Sequence, residues 1–220
     1  MNMIDESSGR ETSATRAAYI ALRQMILTGE LPAGQKLKIE QLRTLLDTGA
    51  SPVREALSLL TSDMLVERID QRGFRAAPAS IANFDEILSL RCTLEEMALL
   101  QSIAKATPDW EERLVLSHHR MKRMTDTETF EDAHKSFHMT LLSNANSPML
   151  ERYCSQLYDL NIRYRNLAAG GKNYQNRNIP AEHDTIFEAA IQRDAQTACE
   201  ALLSHYRLTG AYLTTQLTDL

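Results

Sequence analysis

Several things are scarce in this 220-residue chain, and each scarcity removes a class of protein. Only three cysteines occur, Cys92, Cys154 and Cys199, odd in number and far apart. That excludes a disulfide-stapled secreted scaffold and reads as reduced, buried thiols in a cytoplasmic protein. Long apolar runs are missing. Asp, Glu, Lys, Arg or Gln interrupts every apolar stretch well short of the roughly 18 residues that suggest a membrane span. The stretch Met1–Ser13 is polar and carries Asp5, Glu6 and Arg10, with no apolar segment of the kind a secretory signal needs. A soluble cytoplasmic protein without membrane association is expected. The 8 glycines and 6 prolines are scattered, and they form no phosphate-cradling glycine loop and no nucleophile elbow. An overall excess of positive charge is also absent, the net charge being −5. What remains is ordinary globular material, 43% apolar and 24% charged, of a length that suits one or two domains.

The charge is unevenly spread. Arg10 to Pro78 holds 10 Lys+Arg against 8 Asp+Glu, whereas Ala79 to Leu220 holds 14 against 19. A slightly basic N-terminal third on an acidic remainder fits a small nucleic-acid module joined to a larger domain that does not bind nucleic acid.

Helical periodicity dominates the text. After a polar tail over 1–12, Ala17, Ile20, Ala21, Leu22, Met25 and Ile26 form an apolar stripe that ends at Gly29. Leu31-Pro32-Ala33-Gly34 is turn chemistry, and Lys36-Leu37-Lys38 is short and extended. A second helix is expected from Ile39 to Leu46 with Leu42, Leu45 and Leu46 inward. Asp47-Thr48-Gly49-Ala50 is a tight turn, after which Ser51 reads as an N-cap and Pro52 as the first helical residue. The third helix carries Val53, Ala56, Leu57 and Leu60 on its buried side and ends near Asp63. Two strand-like pieces follow, Leu65–Ile69 and Phe74–Ala77, joined by the turn Asp70-Gln71-Arg72-Gly73. Pro78-Ala79-Ser80 marks a domain boundary. Beyond it only helices are expected, over about 81–105, 108–125, 128–144, 147–169, 180–193 and 194–218, punctuated by Thr107-Pro108, Asn146-Ser147-Pro148, Gly170-Gly171 and Ile179-Pro180. The fold class is thus mainly α: a winged helix-turn-helix of three helices plus a β-hairpin over 13–78, then an all-α antiparallel bundle over 79–220.

A helix fits the DNA major groove, and its N-terminal turn meets base edges and phosphates. Here that turn is Gly49-Ala50-Ser51-Pro52-Val53-Arg54. Its small residues allow close approach, the helix dipole favours a phosphate, Ser51 offers a hydroxyl, and Arg54 suits guanine or phosphate. Arg72 and Gly73 form the wing tip, and Lys38 and Arg43 are phosphate grips. The string Leu31-Pro32-Ala33-Gly34-Gln35-Lys36-Leu37, then Ser51-Pro52-Val53-Arg54-Glu55-Ala56-Leu57, then the hairpin to Arg72-Gly73, resembles the DNA-binding domain of GntR-family transcription regulators. Ala50 stands where many members carry an arginine that reads guanine, so the resemblance implies an unusual operator.

Six histidines are present. His118 and His119 are adjacent, point about 100° apart on a helix, and read as a solvated face. His134 and His138 are four apart and share a face; His183 follows Pro180, and His205 lies one helix later. Convergence of these four rings would make a nitrogen-rich metal site. By spacing alone, such histidines are more often hydrogen-bonded structural residues, and i,i+4 His pairs also occur by chance. The segments around Ile87–Leu100, His134–Leu150 and Glu182–Tyr206 are similar to the FCD ligand-binding domain of the FadR subfamily of GntR regulators. That resemblance implies a metal held by His134, His138, His183 and His205, with His134 in a position where aspartate is commonest. The ion it implies is Zn²⁺, or otherwise Ni²⁺ or Mn²⁺. It also implies a small carboxylate effector, held by Arg91 with Tyr164 and Arg165; the Arg163-Tyr164-Arg165 text resembles members that sense short dicarboxylates such as glutarate. Arg91 has an ordinary alternative in an i,i+4 pair with Glu95, and Glu182 and Asp184 are expected to face solvent.

The expected function is a ligand-responsive regulator, a repressor, that binds a palindromic operator as a homodimer. Two alternatives remain open at this stage. One is a metal-dependent, hydrolase-like helical enzyme with an accessory winged helix; the other is a regulator whose metal is purely structural.

Overall fold

The computed structural model describes residues 5–217 other than 71, 125–126 and 169–176; the wing residue Gln71 and the Gly170-Gly171 break therefore lie outside the described residues. The chain divides into two units: one runs to Ser80 and includes the chain from Ile162 to Gly170, and the other holds Ile81–Asn161 and the chain from Gly171 onward.

The first unit is built on α1 (Asp5–Thr28), α2 (Ile39–Leu45) and α3 (Ala50–Ser62) with three short strands, β1 (Lys36–Leu37), β2 (Val66–Ile69) and β3 (Gly73–Ala76). Its sheet is antiparallel in the order β1-β3-β2, with Leu37 opposite Phe74 and Val66 opposite Ala76. Gly73 opens β3 at φ +93°, a left-handed backbone that a side chain would strain. Val53, Ala56, Leu57 and Leu60 of α3 are buried, as their spacing predicts, in a helix that packs on α1 and β2. Each such side chain contributes on the order of 1.5–3 kcal/mol when fully removed from water. Two polar ties fasten α1 to α3: the Thr15 hydroxyl donates to Glu55 at 2.8 Å and the Tyr19 hydroxyl to Asp63 at 2.7 Å.

Four expectations need correction in this unit. Helix α1 starts at Asp5, inside the stretch read as a polar tail. Its buried stripe is Thr15, Ala18, Leu22 and Ile26, leaving Ala17 and Ile20 exposed; the core selects a stripe rotated from the one drawn through the most apolar residues. In α2 only Leu42 is buried, and Leu45 faces out because seven residues offer a single inward position per turn. The cap of α3 is Gly49, with extended φ and ψ, so Ala50 and Ser51 are already helical and Pro52 falls in the first turn.

The second unit contains α4 (Ile81–Ala104), α5 (Pro108–Arg123), α6 (Thr127–Leu142), most of α7 (Pro148–Ala168), α8 (Ile179–Ile191) and α9 (Ala195–Gln216). These bounds fall within about two residues of those read from periodicity and breakers. The starts are chemically marked: Thr107 accepts from Trp110 N–H with Pro108 following, Asn178 accepts from Ala181 N–H, and Asp194 accepts from Thr197 N–H. Helix α4 packs on α6 and α9, α5 on α6 and α8, and α8 on α9. Trp110, Leu114, Phe137, Leu141, Ile186, Leu202 and Tyr206 fill the centre. Gly210 sits inside α9 because α4 comes so close: a Cβ there would lie 2.3 Å from Leu88 Cδ2. All three cysteines are free; Cys154 and Cys199 are buried and Cys92 is half-buried. Burial pushes the Cys154 thiol up to about 12 and the Cys199 thiol up to about 11, which leaves both unreactive. Among the described residues, no helix is long and apolar enough to cross a membrane.

Candidate functional site

Two surfaces carry chemistry. In the first unit, Ser51 and Arg54 stand exposed on the first turns of α3, Lys38 and Arg43 are exposed at either end of α2, and Arg72 and Gly73 are exposed at the wing. Arg43 shares its charge with Glu40 across 3.3 Å in solvent. Pro52, by contrast, is buried, so it shapes the helix start and presents no contact surface. Glu55 accepts from Thr15, so the adjacent Arg54–Glu55 text does not amount to a simple exposed ion pair.

In the second unit the four histidines converge. His134 and His138 come from consecutive turns of α6, His183 from the first turns of α8 and His205 from α9, each between 1 and 5% exposed. One donor atom from each lies within 4.8 Å of the others. The Nε2 atoms of His134, His138 and His183 form a triangle with sides of 3.1, 3.3 and 3.3 Å. Two nitrogens bound to one tetrahedral zinc at 2.0–2.1 Å would stand roughly 3.3–3.4 Å apart, so the donor set fits a first-row ion.

Three of the outer nitrogens are engaged. Tyr158 hydroxyl meets His134 Nδ1, Tyr206 hydroxyl meets His138 Nδ1 at 2.9 Å, and Glu182 Oε2 meets His205 Nδ1 at 2.7 Å. Burial lowers the pKa of His205 more than Glu182 raises it, which favours the neutral ring that a metal requires. Burial also acts to raise the Glu182 carboxyl, but hydrogen bonds from His205 and Arg177 outweigh it and bring it down to about 2. Glu182 is therefore an ionised partner of the site, and its expected solvent-facing role is corrected.

Arg91 lies beside this set. It is buried on α4; its Nε donates to Glu95 Oε1 at 2.6 Å and its Nη1 to Asn161 Oδ1 at 3.1 Å. Its guanidinium stacks over Tyr206 at 4.0 Å and Tyr158 at 4.8 Å, the two tyrosines that touch His138 and His134. Burial alone would lower its pKa, but the charge of Glu95 raises it overall, so the cation persists. The Glu95 pair thus exists, yet Arg91 Nη2 is buried with no hydrogen-bond partner. An unsatisfied buried cationic N–H is costly and marks a place for an acceptor.

Tyr164 and Arg165 are not brought into this group. Beyond Asn161, α7 belongs to the first unit. There the Tyr164 hydroxyl accepts from Ser80 N–H at 3.3 Å, and the buried Arg163, rather than Arg165, donates to the Ala77 carbonyl. The residues α7 does supply to the cluster are Tyr158 and Asn161. His118 likewise departs from expectation: it is buried, stacked on Phe187 at 4.1 Å and 2.9 Å from Asp184, which also binds Lys122. His119 is exposed as expected. Tyr158, Asn161 and Tyr206 were not foreseen, Glu182 was expected to face solvent, and Glu95 was read only as a pair for Arg91. The only signals were adjacency, Glu182 beside His183 and Tyr206 beside His205, together with the i,i+4 spacing from Arg91 to Glu95.

A three-helix, winged module followed by an all-helical domain defines a class of DNA-binding transcription regulators. The family model for bacterial regulatory proteins of the gntR family matches residues 14–75, and the FCD domain model matches residues 86–208. The chain belongs to the GntR family, with an FCD domain as its second part. It is 35% identical over 202 residues to the HTH-type transcriptional regulator BphR of Paraburkholderia xenovorans (strain LB400), covering 88% of this chain and 82% of that one. It is 26% identical over 197 residues to the HTH-type transcriptional repressor GlaR of Escherichia coli (strain K12), covering 85% of this chain and 90% of that one. Among solved structures, E. coli McbR/YncC shares the fold with a TM-score of 0.79 at 21% identity, over 92% of this chain and 98% of that one. Family and relatives are transcriptional regulators, which sets aside the hydrolase-like alternative.

Proposed function

We propose that this protein is a one-component repressor whose operator affinity responds to a small organic acid. A dimer would place one winged module on each half of a palindromic operator, because a single short helix and wing contact too few base pairs for useful selectivity. Lys38, Arg43, Ser51, Arg54 and Arg72 would meet the DNA, with Gly73 allowing the wing its turn. His134, His138, His183 and His205 would hold a divalent ion, Zn²⁺ in preference to Ni²⁺ or Mn²⁺. Bound there, the ion would supply a second positive charge near Arg91. Four neutral nitrogen donors suit first-row transition ions better than hard, oxygen-seeking ones.

The observation that carries the effector reading is Arg91 Nη2: a buried, charged donor without an acceptor, between two tyrosines and against the histidine cluster. A mono- or dicarboxylate would satisfy it. Such an acid can shift DNA affinity only by its differential affinity for the two arrangements of the DNA-binding heads. The second reading, a purely structural metal, draws support from the donor count, since four protein ligands close a tetrahedral site.

One experiment separates them. Purified protein is analysed for bound metal, then screened by thermal shift against short carboxylates with and without metal, and the operator affinity is measured with any acid that binds. Ligand that binds only the folded state raises Tm. A metal-dependent shift by an acid that also weakens operator binding supports the sensor. Metal uptake with no shift from any acid supports the structural role.

A further inference from the structure

The four rings are held from outside as well as from within, and the holding groups differ in chemistry. Glu182, just inside α8, reaches His205 Nδ1 at 2.7 Å. Arg177 grips the same carboxylate from Nε at 3.0 Å and through Nη2, while its Nη1 donates to Thr209 at 3.0 Å and its Nη2 also reaches the His205 carbonyl at 3.3 Å. This clamp ties the start of α8 to α9. On the other side, Tyr206 donates its hydroxyl proton to Glu95 and lies 2.9 Å from His138 Nδ1.

Proton placement follows from these partners. A carboxylate offers only lone pairs, so His205 must carry its proton on Nδ1 toward Glu182. Tyr206 has already given its one proton to Glu95, so its oxygen can only accept from His138, whose proton is likewise on Nδ1. Both rings are thereby left with an Nε2 lone pair. The Nε2 atoms of His138, His134 and His183 stand 3.1–3.3 Å apart. His138 offers only a lone pair to this group, which a cation lying among the rings would accept. The four ligands carry no negative charge; Glu182 meets His205 directly and Glu95 reaches His138 through Tyr206.

We propose that Glu182 and Tyr206 are positioning residues of the four-histidine centre, fixing His205 and His138 with Nε2 directed inward. This rests on reading the cluster as a metal centre. It also fixes selectivity: nitrogen donors backed by outer carboxylates take Zn²⁺ and its neighbours and refuse Mg²⁺.

The test uses the full chain, stripped with a chelator. Zn²⁺ is titrated against a chromophoric competitor, and Co²⁺ serves as a spectroscopic probe of the donor field. Glu182→Gln and Tyr206→Phe should each weaken Zn²⁺ binding roughly 10- to 100-fold and shift the Co²⁺ visible bands. Glu182→Asp, which keeps the charge, should recover part of the affinity, and His119→Gln on an exposed face of α5 should change nothing. Far-ultraviolet circular dichroism of each metal-free variant controls for folding, and Tyr206→Phe keeps the test open should Glu182→Gln misfold. Wild-type affinity and spectrum in both Glu182→Gln and Tyr206→Phe would overturn the positioning role while leaving the metal reading intact. Mg²⁺ displacing Zn²⁺ at comparable concentration would overturn the selectivity. A wild-type protein that takes up neither Zn²⁺ nor Co²⁺ would overturn the metal reading itself.

Discussion

Replacing Arg91 by methionine puts the centre of the helical domain to a quantitative trial. Its side chain and that of Glu95 are 6% and 0% exposed, and the guanidinium and carboxylate pair at 2.6 Å. Removing one partner of such a pair costs roughly 3–5 kcal/mol, because the surviving charge is left buried. Tyr206 still donates to Glu95, which softens the loss, so a cost of about 3 kcal/mol is expected. For a chain of this size that corresponds to a fall in Tm of roughly 6–12 °C. The double variant Arg91→Met/Glu95→Gln removes both charges and keeps an acceptor for Tyr206. It should recover most of the stability, giving a coupling of at least about 2 kcal/mol in a double-mutant cycle. Urea unfolding monitored by Trp110 fluorescence reads this domain. Neither variant should show a carboxylate-induced thermal shift. A single-variant cost below about 1 kcal/mol, or strict additivity in the cycle, would refute the buried-pair account. A thermal shift retained by Arg91→Met would remove Arg91 as the anion anchor.

Three further outcomes are expected. Arg54→Ala should weaken operator binding by roughly 1–3 kcal/mol in a gel-shift titration while the helical domain stays folded; unchanged affinity would take Arg54 out of the interface. Operator affinity should fall steeply with added salt as phosphates are freed of counterions, and a flat response in fluorescence anisotropy would argue against phosphate contacts by Lys38, Arg43 and Arg72. His118 is one acid-sensitive point outside the histidine cluster: burial lowers its pKa more than Asp184 raises it. The unfolded state then binds more protons, so stability is full above the unfolded value of about 6.5 and is lost as pH falls below it. His118→Gln should flatten the slope of unfolding free energy between about pH 7 and 5; an unaltered slope would assign the acid sensitivity elsewhere.

The sequence alone determined the elements and their order. Periodicity, the Thr107-Pro108 and Ile179-Pro180 breaks and the Pro78–Ser80 break act through neighbours a few residues apart, so they are legible one segment at a time. It also determined which four histidines to consider, since His134 and His138 share a helix face by spacing. Tertiary structure decided everything that depends on which stripe is buried and which strangers meet. It turned Leu45 and Ile20 outward, sank His118 against Phe187, and left Tyr164 and Arg165 with the first unit. It also brought Tyr158, Glu182, Tyr206 and Arg91, scattered over more than a hundred residues, around one set of rings. The physical reason is that burial and hydrogen-bond partnership are properties of pairs of surfaces, and no single helix carries in its own text the identity of the surface it will meet.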